Sequence, residues 1–359
     1  MRVLHVESGR HLYGGALQVR LLLEALGEGT HILACSRDGA LADAAEGVAA
    51  KVYRLPVGGE LDLNFIPRLY RIIRRERIDL IHLHSRRGAD LLGGIAGRLA
   101  GLPVVLSRRV DHRDRAVSLK YRLYDRVITI SEGIRRVLLE QGVPASKLVL
   151  VHSAVDTRRY RPGGNRTWLQ REFGLAAKDR TVGMIAQFIE RKGHKVLLDA
   201  IPAILARHPN TRFLLFGQGP LGRQIDAEVH NRGLAARVQQ VGFRDDLERI
   251  IPVLDLVVHP AYREGLGVSL LQAAACAIPI VASRTGGIPE IVHHGNNGLL
   301  VEPGNSADLA TACNAVLDDP NRASAMGRAG VALVHREYST ATMAAGNLRV
   351  YLELLGKQR

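Results

Sequence analysis

The chain has 359 residues, a length that suits two domains better than a single hydrophobic core. Apolar residues make up 47% of it, but their runs are short and broken by charges or glycines, which excludes a membrane-spanning helix. The three cysteines are widely spaced in apolar segments, which indicates neither a disulfide framework nor a zinc site and favours buried thiols in a reducing cytosol.

The formal net charge is +14, and much of it is concentrated in one part of the chain. Residues 68–126 hold 15 Lys or Arg against 6 Asp or Glu. Such a field favours an anionic partner, either lipid head groups or a phosphorylated glycan. Nucleic acid is not expected, because aromatic residues are scarce and no nucleic-acid-binding motif appears. The chain enters a strand pattern at once, without a signal peptide, so we expect a cytoplasmic protein.

The first half of the chain alternates short apolar strands with helical patterns. Strands are predicted at 2–6, 31–36, 51–55, 80–84, 104–108, 126–130 and 148–152. Helices are predicted between them, at 16–26, 65–77, 89–100 and 132–141. Strands rich in Val, Ile and Leu that alternate with helices predict a parallel, doubly wound α/β sheet, whose ligands bind beyond the carboxyl ends of the strands.

Two glycines, Gly14 and Gly15, follow the first predicted strand and begin the first helix. They indicate either a flexible turn or a loop that lets a phosphate approach the backbone, and both interpretations remain open. The fingerprint G-x-G-x-x-G is absent, which argues against a nicotinamide cofactor.

Polar candidates follow the fourth and fifth predicted strands. His82 and His84 share one face of the fourth strand, but no third ligand is evident, so we predict no metal site. His84, nearer the carboxyl end, is either a site residue or a core histidine. After the fifth strand, Asp111 or His112 could act as a general base, whereas Arg109 could neutralise an anionic substrate.

Two segments within the charged region mix basic and apolar residues. Residues 65–77 interleave arginines with Phe, Ile and Leu, and residues 113–126 do the same with Lys and Arg. Each alone is typical of a helix with one packed and one solvated face. Together they favour reversible docking to an anionic membrane, which would place the protein peripherally on the inner face of the cytoplasmic membrane.

The second half repeats the alternation after an interdomain linker predicted at 162–165. Its strands are predicted at 182–186, 213–216, 238–241, 256–259, 280–282 and 298–301. The most informative stretch, 259–292, contains two adjacent strand-to-helix turns that both carry glycines. Helix starts offer free N–H groups and a positive dipole end, which suit a phosphate. Glu264 lies in the first of these turns and suits hydroxyl groups, so the stretch indicates a sugar nucleotide.

This stretch resembles the signature of the retaining glycosyltransferases of family 4. That signature has two glutamates eight positions apart, then an apolar helix, a G-x-P-V-x-A strand and a G-G-x-x-E turn. Here Glu264 takes the first glutamate position and Gln272 the second, and the later turn contains Gly286, Gly287 and Glu290.

Other segments resemble the same family. Lys192 and Gly193 match its G-R-L-x-x-x-K-G segment, in which Gln187 replaces the arginine, and Arg191 or Arg263 could replace that charge. Gly14 and Gly15 also match the family, whose members have two glycines next to the donor phosphates at this position. Gly217 and Gly219 match its G-x-G-P turn near the nucleotide base, and the segment 155–162 matches as well.

The resemblance implies the GT-B fold, in which two Rossmann-like doubly wound domains with parallel sheets face a central cleft. Residues 1–162 would form the acceptor-side domain and residues 163–340 the domain that binds the nucleotide sugar. The last segment, 341–359, would be a helix that crosses back to the first domain.

The resemblance also implies site residues for retaining transfer of a hexose or heptose. The expected catalytic residues are Glu264, Lys192, Arg109, Asp111 and His112. The expected donor-binding residues are Gly14, Gly15, Gln187, Lys192, Gly217, Gly219, Glu264, Gly265, Leu266, Gly267, Val268 and Gln272. The expected acceptor-side residues are His84, Arg108 and Arg109.

The expected co-substrate is a nucleotide sugar, with a UDP sugar as first choice and GDP or ADP sugars as alternatives. Neither a cofactor nor a metal is expected, because a D-x-D motif is absent and lysine and helix dipoles can offset the diphosphate charge. The expected acceptor is a bacterial envelope glycan or glycolipid: lipopolysaccharide core, capsule or lipid-linked oligosaccharide. Departures from the family at Arg109, Gln187 and Gln272 leave two alternatives, a non-catalytic sugar-nucleotide-binding subunit and an epimerase or phosphorylase on the same fold.

Overall fold

A computed structural model describes residues 1–12, 14–27, 29–59, 61–85, 88–114 and 117–356. The chain forms two compact units. The first contains Met1–Ala154 together with the C-terminal segment from Thr340, and the second contains Val155–Ser339.

The first unit is built on a seven-stranded parallel sheet with the strand order β3-β2-β1-β4-β5-β6-β7. Its strands are β1 (Val3–Glu7), β2 (His31–Ser36), β3 (Lys51–Leu55), β4 (Leu80–Leu83), β5 (Val104–Arg108), β6 (Arg126–Thr129) and β7 (Leu148–Leu150). The sheet is almost continuously buried in its central strands, as expected for a parallel sheet covered on both faces.

Helices cover both faces of this sheet. They are α1 (Gly15–Leu26), α2 (Leu41–Ala44), α3 (Phe65–Glu76), α4 (Ala89–Leu99), α5 (Val117–Lys120), α6 (Glu132–Glu140) and, from the C-terminal segment, α15 (Thr340–Gly356). Apolar residues of α3 and α4 pack on one face, and those of α1 and α15 pack on the other. The unit is therefore doubly wound, and α15 belongs to its core.

The second unit has a six-stranded parallel sheet with the order β10-β9-β8-β11-β12-β13. Its strands are β8 (Arg180–Ile185), β9 (Thr211–Phe216), β10 (Val238–Gly242), β11 (Leu256–His259), β12 (Ile280–Ser283) and β13 (Gly298–Val301). Its helices are α7 (Arg166–Phe173), α8 (His194–Arg207), α9 (Gly222–Asn231), α10 (Leu247–Ile250), α11 (Val268–Ala275), α12 (Ile288–Ile291), α13 (Ser306–Asp318) and α14 (Pro320–Glu337). Two doubly wound parallel sheets confirm the predicted fold class.

The strand order reverses once in each sheet. In the first unit, β1 lies between β2 and β4, and in the second, β8 lies between β9 and β11. At such a reversal the neighbouring loops diverge at the carboxyl ends of the strands and leave a crevice for a ligand. We therefore expect ligand-binding residues after β1 and β4 in the first unit and after β8 and β11 in the second.

The boundary segment differs in detail from its prediction. Residues 155–162, expected to close the first domain, lie in the second unit, where the Val155 N–H donates to the Tyr338 carbonyl oxygen at 3.0 Å. Within the predicted linker, Asn165 caps α7 by accepting a hydrogen bond from the Trp168 N–H.

Two composition-based predictions can be compared with the structure. All three cysteines are buried and unpaired, which confirms the expected free thiols. Among the described residues, no helix combines the length and the apolarity needed to cross a bilayer.

Candidate active site

The site in the second unit is formed by the loops that follow β8, β11 and β12. A Cβ atom on Gly193 would lie 1.9 Å from the Pro260 carbonyl oxygen, and one on Gly286 would lie 1.8 Å from the Glu264 carbonyl oxygen. Both glycines also have positive φ, 74° and 55°. Glycine is required at both positions because the loop after β11 lies against Gly193, in the loop after β8, and against Gly286, in the loop after β12.

Glu264, in the β11 loop, is the centre of this site. The residue is 8% exposed, and its Oε2 accepts hydrogen bonds from Lys192 Nζ and from His259 Nε2, the latter at 2.9 Å. Its Oε1 accepts from the Gly265 N–H at 3.0 Å. Lys192 follows β8 and His259 ends β11, so the order of the sheet brings both donors to one carboxylate.

The electrostatics keep Glu264 ionised. Burial acts to raise its pKa, but the His259 hydrogen bond and the Lys192 charge outweigh burial and hold the pKa well below its usual range. Burial lowers the pKa of His259, although Glu264 opposes that shift, so we treat its imidazole as neutral at physiological pH. The arrangement is a negative carboxylate with one positive and one neutral donor.

The start of α11 lies next to this carboxylate. Gly265, Leu266 and Gly267 are buried, and Gly267 begins the helix with φ 97°. Val268 is the first helical residue, and the first N–H groups of a helix have no partner within it. Gln272 is 7% exposed and lies one turn further along the same helix. This loop can therefore offer amide donors to an anion beside Lys192.

The residues expected near the nucleotide lie at the ends of β8 and β9. Gly217 and Gly219 are in close contact with the preceding loop: Cβ atoms there would lie 2.0 Å from the Ala186 carbonyl oxygen and 2.5 Å from the Phe188 carbonyl oxygen. Gln187 is exposed. The structure thus brings Gln187, Gly217 and Gly219 to the same edge of the sheet as Lys192.

The expected acceptor-side residues lie at the carboxyl edge of the first unit's sheet, as do Gly14 and Gly15, which were expected to bind the donor. Gly15 is next to Arg109, whose Nη1 donates to Ser153 Oγ at 3.3 Å. Gly14 has φ 57°, and in the described ranges no atom lies within 4 Å of the Cβ it lacks. His84 is buried just beyond β4.

Arg108 and the segment after it have other contacts. The Arg108 side chain is buried, forms an ion pair with Asp114 at 2.9 Å, and donates to the His112 carbonyl oxygen. Asp114 therefore neutralises the charge of Arg108 inside the first unit. Asp111 and His112 are both half-buried.

The structure also reveals a layer of buried histidines that sequence reasoning missed. His5 Nδ1 is 3.0 Å from His84 Nε2, and His5 Nε2 is 3.0 Å from His31 Nδ1. His82 contacts the Tyr351 hydroxyl at 2.6 Å and Ser107 Oγ at 2.9 Å. His5, His82 and His84 lie close enough together to be considered as ligands, so the statement that no third ligand is evident was wrong.

Two other functional candidates were missed, Glu7 and His259. Both are buried, and each lies at the carboxyl end of a central strand. Their position after a buried strand of a doubly wound sheet was the signal that could have identified them.

Two family models match the chain. The model for glycosyl transferases group 1 matches residues 165–332, and that for glycosyltransferase family 4 matches residues 14–159. The chain is 30% identical over 328 residues to a GDP-mannose-dependent alpha-(1-6)-phosphatidylinositol monomannoside mannosyltransferase of Mycobacterium tuberculosis, a match that covers 84% of this chain and 83% of that protein.

More distant relatives agree with these matches. N-acetyl-alpha-D-glucosaminyl L-malate synthase of Bacillus anthracis is 24% identical over 305 residues, with 82% of this chain and 80% of that protein covered. The crystal structure of Anabaena Alr3699/HepE in complex with UDP has a TM-score of 0.87 at 21% identity, over 99% of this chain and 100% of that chain. The overall fold is thus shared.

Proposed function

The chain belongs to the family 4 glycosyltransferases of GT-B fold, and from that premise we propose that it transfers a hexose or heptose from a nucleoside diphosphate sugar to a hydroxyl acceptor with retention of configuration. In this reaction the bond from the sugar C1 to the diphosphate breaks, and the acceptor oxygen bonds to C1 on the face that the diphosphate leaves. The proton of the acceptor hydroxyl goes to the departing diphosphate.

The observation that carries the proposal is the buried contact of Glu264 with Lys192 and His259. A bound donor could engage the two side chains of this pair separately. The diphosphate would take Lys192, while the donor sugar hydroxyls would donate to Glu264. Lys192 would then stabilise the charge that develops on the leaving diphosphate, the main electrostatic demand of the reaction.

The remaining donor contacts follow from the loops around this pair. The amides of 266–268 would meet the phosphate nearest the sugar, beside the Gly265 N–H that donates to Glu264. Gln272 would bind the ribose through its amide. Gly217 and Gly219 would lie near the base. Because lysine and amides offset the diphosphate charge, we expect activity to persist after chelation of divalent ions.

The donor is a nucleoside diphosphate sugar, and the relatives differ in its base. The Anabaena structure contains UDP, which supports a UDP sugar, whereas the mycobacterial relative is GDP-mannose-dependent. A thermal-shift screen with UDP, GDP and ADP sugars separates these donors, because a ligand that binds only the folded state raises the melting temperature.

The proposed acceptor is a glycan or glycolipid of the bacterial envelope, met at the inner face of the cytoplasmic membrane. The mycobacterial relative is a phosphatidylinositol monomannoside mannosyltransferase, which supports a lipid-linked acceptor. A basic surface on α3 also supports this location: Arg71, Arg74 and Arg75 are exposed on it together with Tyr70. The exposed Leu61 and Leu63 precede the same helix. Basic and apolar side chains on one surface suit an anionic bilayer.

Glu264→Gln is the direct test of the proposed site. The amide keeps the shape but loses the charge that accepts from donor hydroxyls, so we expect transfer to be abolished while the melting temperature shows that the fold is intact. The measurement is release of nucleoside diphosphate and of labelled glycolipid with an envelope extract as acceptor. Full activity in this variant would remove Glu264 from the mechanism. Tight donor binding without turnover in the wild-type protein would instead favour a non-catalytic subunit.

A further inference from the structure

Glu7, at the reversal point of the first sheet, is not used by the proposed donor site. It is the last residue of β1 and is 3% exposed. Its Oε1 accepts from the Gly9 N–H at 2.7 Å, and the Ser85 side chain lies near the carboxylate. Among the described residues, no donor lies at hydrogen-bond distance from its buried Oε2. A buried carboxylate oxygen without a partner is destabilising unless a ligand supplies a donor.

The Arg109 guanidinium lies beside this carboxylate. Gly15 lies close to both side chains, because a Cβ atom at that position would lie 3.4 Å from Arg109 Cδ and 3.7 Å from Glu7 Oε2. Arg109 Nη1 donates to Ser153, and within the described chain its buried Nε has no partner. Burial lowers the pKa of Arg109 to about 10, and the Glu7 charge opposes that shift.

His84 adds a third polar group at the same edge. Its Nε2 is 3.0 Å from His5 Nδ1, and its Nδ1 is buried without a partner in the part of the chain that the structure describes. The Arg109 charge is one of the influences, after burial, His82 and His5, that lower the pKa of His84. The edge thus carries three unused groups: an acceptor on Glu7, a donor on Arg109, and a ring nitrogen on His84 that can be either.

We infer that Glu7, Arg109 and His84 bind hydroxyl groups of an uncharged sugar ring of the acceptor, and that Glu7 makes this subsite select neutral over anionic groups. The inference rests on the proposed transferase function and specifies its acceptor. A carboxylate beside a guanidinium can accept from one hydroxyl while the guanidinium donates to its neighbour. Hydroxyls suit both groups, because each hydroxyl is both donor and acceptor.

Burial raises the pKa of Glu7, but the Gly9 N–H and the Arg109 charge oppose that shift and favour the ionised carboxylate. A phosphate or carboxylate in the same place would therefore meet a negative charge. Arg109 alone would attract such a group, as the sequence led us to consider, but Glu7 offsets its charge and adds like-charge repulsion. Removal of the Glu7 charge should therefore convert a subsite for neutral sugars into one that accepts anions.

The test compares binding of neutral and phosphorylated sugars to the full chain with UDP present. Saturation-transfer NMR titrations would use methyl glucoside, methyl galactoside, methyl mannoside and inositol, each against its monophosphate. We expect the wild-type protein to bind the best neutral sugar roughly tenfold or more tightly than its monophosphate, the effect of one charge-assisted hydrogen bond. In Glu7→Gln the preference for the neutral sugar over its monophosphate should decrease by a similar factor or reverse.

Glu24→Gln is the matched control, because Glu24 is an exposed glutamate on α1 of the same unit and should leave the ratio unchanged. Tighter binding of the monophosphates by the wild-type protein, or an unchanged ratio in a folded Glu7→Gln, would overturn the inference. So would failure of every sugar in both sets to bind. The wild-type comparison needs no variant, so it decides even if Glu7→Gln does not fold. Failure of the proposed function has a different signature, the absence of any donor turnover.

Discussion

Lys192 and Lys195 are neighbouring lysines at the start of α8 with different surroundings. Lys192 is 9% exposed and donates to the buried Glu264, whereas Lys195 is exposed and pairs with Asp199 one turn away on the same helix. A buried charge depends strongly on its partner, while an exposed i,i+4 pair contributes little. This contrast allows the role of the Lys192 charge to be isolated.

We predict that Lys192→Met abolishes measurable transfer and weakens binding of nucleoside diphosphate, because the diphosphate loses its cation. Lys195→Met should keep near-wild-type kinetics, since exposed pairs of this kind are worth only about 0.3–0.5 kcal/mol. Steady-state kinetics with the donor found by thermal shift would measure both variants. Equal losses in the two variants would show that general electrostatics, and not the buried pair, is responsible.

The residue-scale site was only partly predictable from the sequence. The motif spacing identified Lys192 and Glu264, but not their mutual contact, because that contact spans 72 positions and depends on β8 and β11 being adjacent. His259 was recognised as a strand end and not as a donor to Glu264. Glu7 lay just outside the strand predicted at 2–6, and its burial depends on helices and strands far away in the chain.

At the scale of elements, the strands were predictable because parallel sheets buried on both faces need continuous apolar runs. The histidine layer was not, since it requires the register between strands. His5 on β1 is paired with His82 on β4, and β2 supplies His31 from the other side. Tyr351 reaches the layer from α15, near the end of the chain.

The histidine layer predicts that acid destabilises the first unit. Burial holds the pKa of His5, His82 and His84 well below 6.5 and that of His31 at about 4. As pH falls below 6.5, the unfolded state binds protons that the folded state does not. The free energy of unfolding should therefore fall by up to about 1.4 kcal/mol per pH unit for each histidine. Glu7 acts in the opposite direction, because burial raises its pKa.

Hydrogen exchange of peptides that cover β1 and β4 is the appropriate measurement between pH 7.5 and 5, corrected for the intrinsic exchange rate. The single tryptophan, Trp168, lies in the second unit, so its fluorescence does not report on this sheet. His31→Leu should reduce the pH dependence of the free energy of unfolding by about the contribution of one histidine. The exposed His335, replaced by Gln, is the control that should leave it unchanged. Protection that does not change with pH would contradict the prediction.

Gly286 and Gly295 test the contact between the β11 and β12 loops. Both have positive φ, so a side chain is strained at either, at about 1–2 kcal/mol. Only Gly286→Ala would also place a Cβ against the Glu264 carbonyl oxygen, because the described structure has no atom within 4 Å of the corresponding position at Gly295. The two substitutions thus share the backbone strain and differ in the contact.

We predict that Gly286→Ala shifts the Glu264 loop and lowers kcat by about a hundredfold, the usual effect of a displacement of ~1 Å in a catalytic group. Gly295→Ala should lower the melting temperature modestly and keep its kcat. Calorimetry and steady-state kinetics on both variants would measure these effects. Similar kcat values in the two variants would show that the loop contact does not position Glu264.

At the scale of the whole molecule, the basic charge is unevenly distributed, and it coincides with exposed apolar side chains. The region 68–126 belongs entirely to the first unit, as do the exposed Leu61, Leu63 and Leu119. In α3 the buried residues Phe65, Leu69, Ile72 and Ile73 face the core, and the exposed arginines are Arg71, Arg74 and Arg75. A membrane-docking surface is therefore expected on the first unit and not on the second.

We predict that Arg71→Gln/Arg74→Gln/Arg75→Gln greatly weakens binding to phosphatidylcholine vesicles that contain phosphatidylglycerol. Each basic residue near an anionic surface contributes about 1 kcal/mol, so three amount to about a hundredfold in partitioning.

The matched control removes the same charge from α14 of the second unit, where Arg322, Arg328 and Arg336 are exposed. Sedimentation with and without the anionic lipid measures both variants. The difference should vanish in 1 M salt, where the screening length is about 3 Å. Arg74 and Arg75 also face the C-terminal dipole of α3, so melting temperatures must show that the triple variant remains folded. Equal binding of the two variants would mean that net charge alone, and not the α3 surface, brings the protein to the membrane.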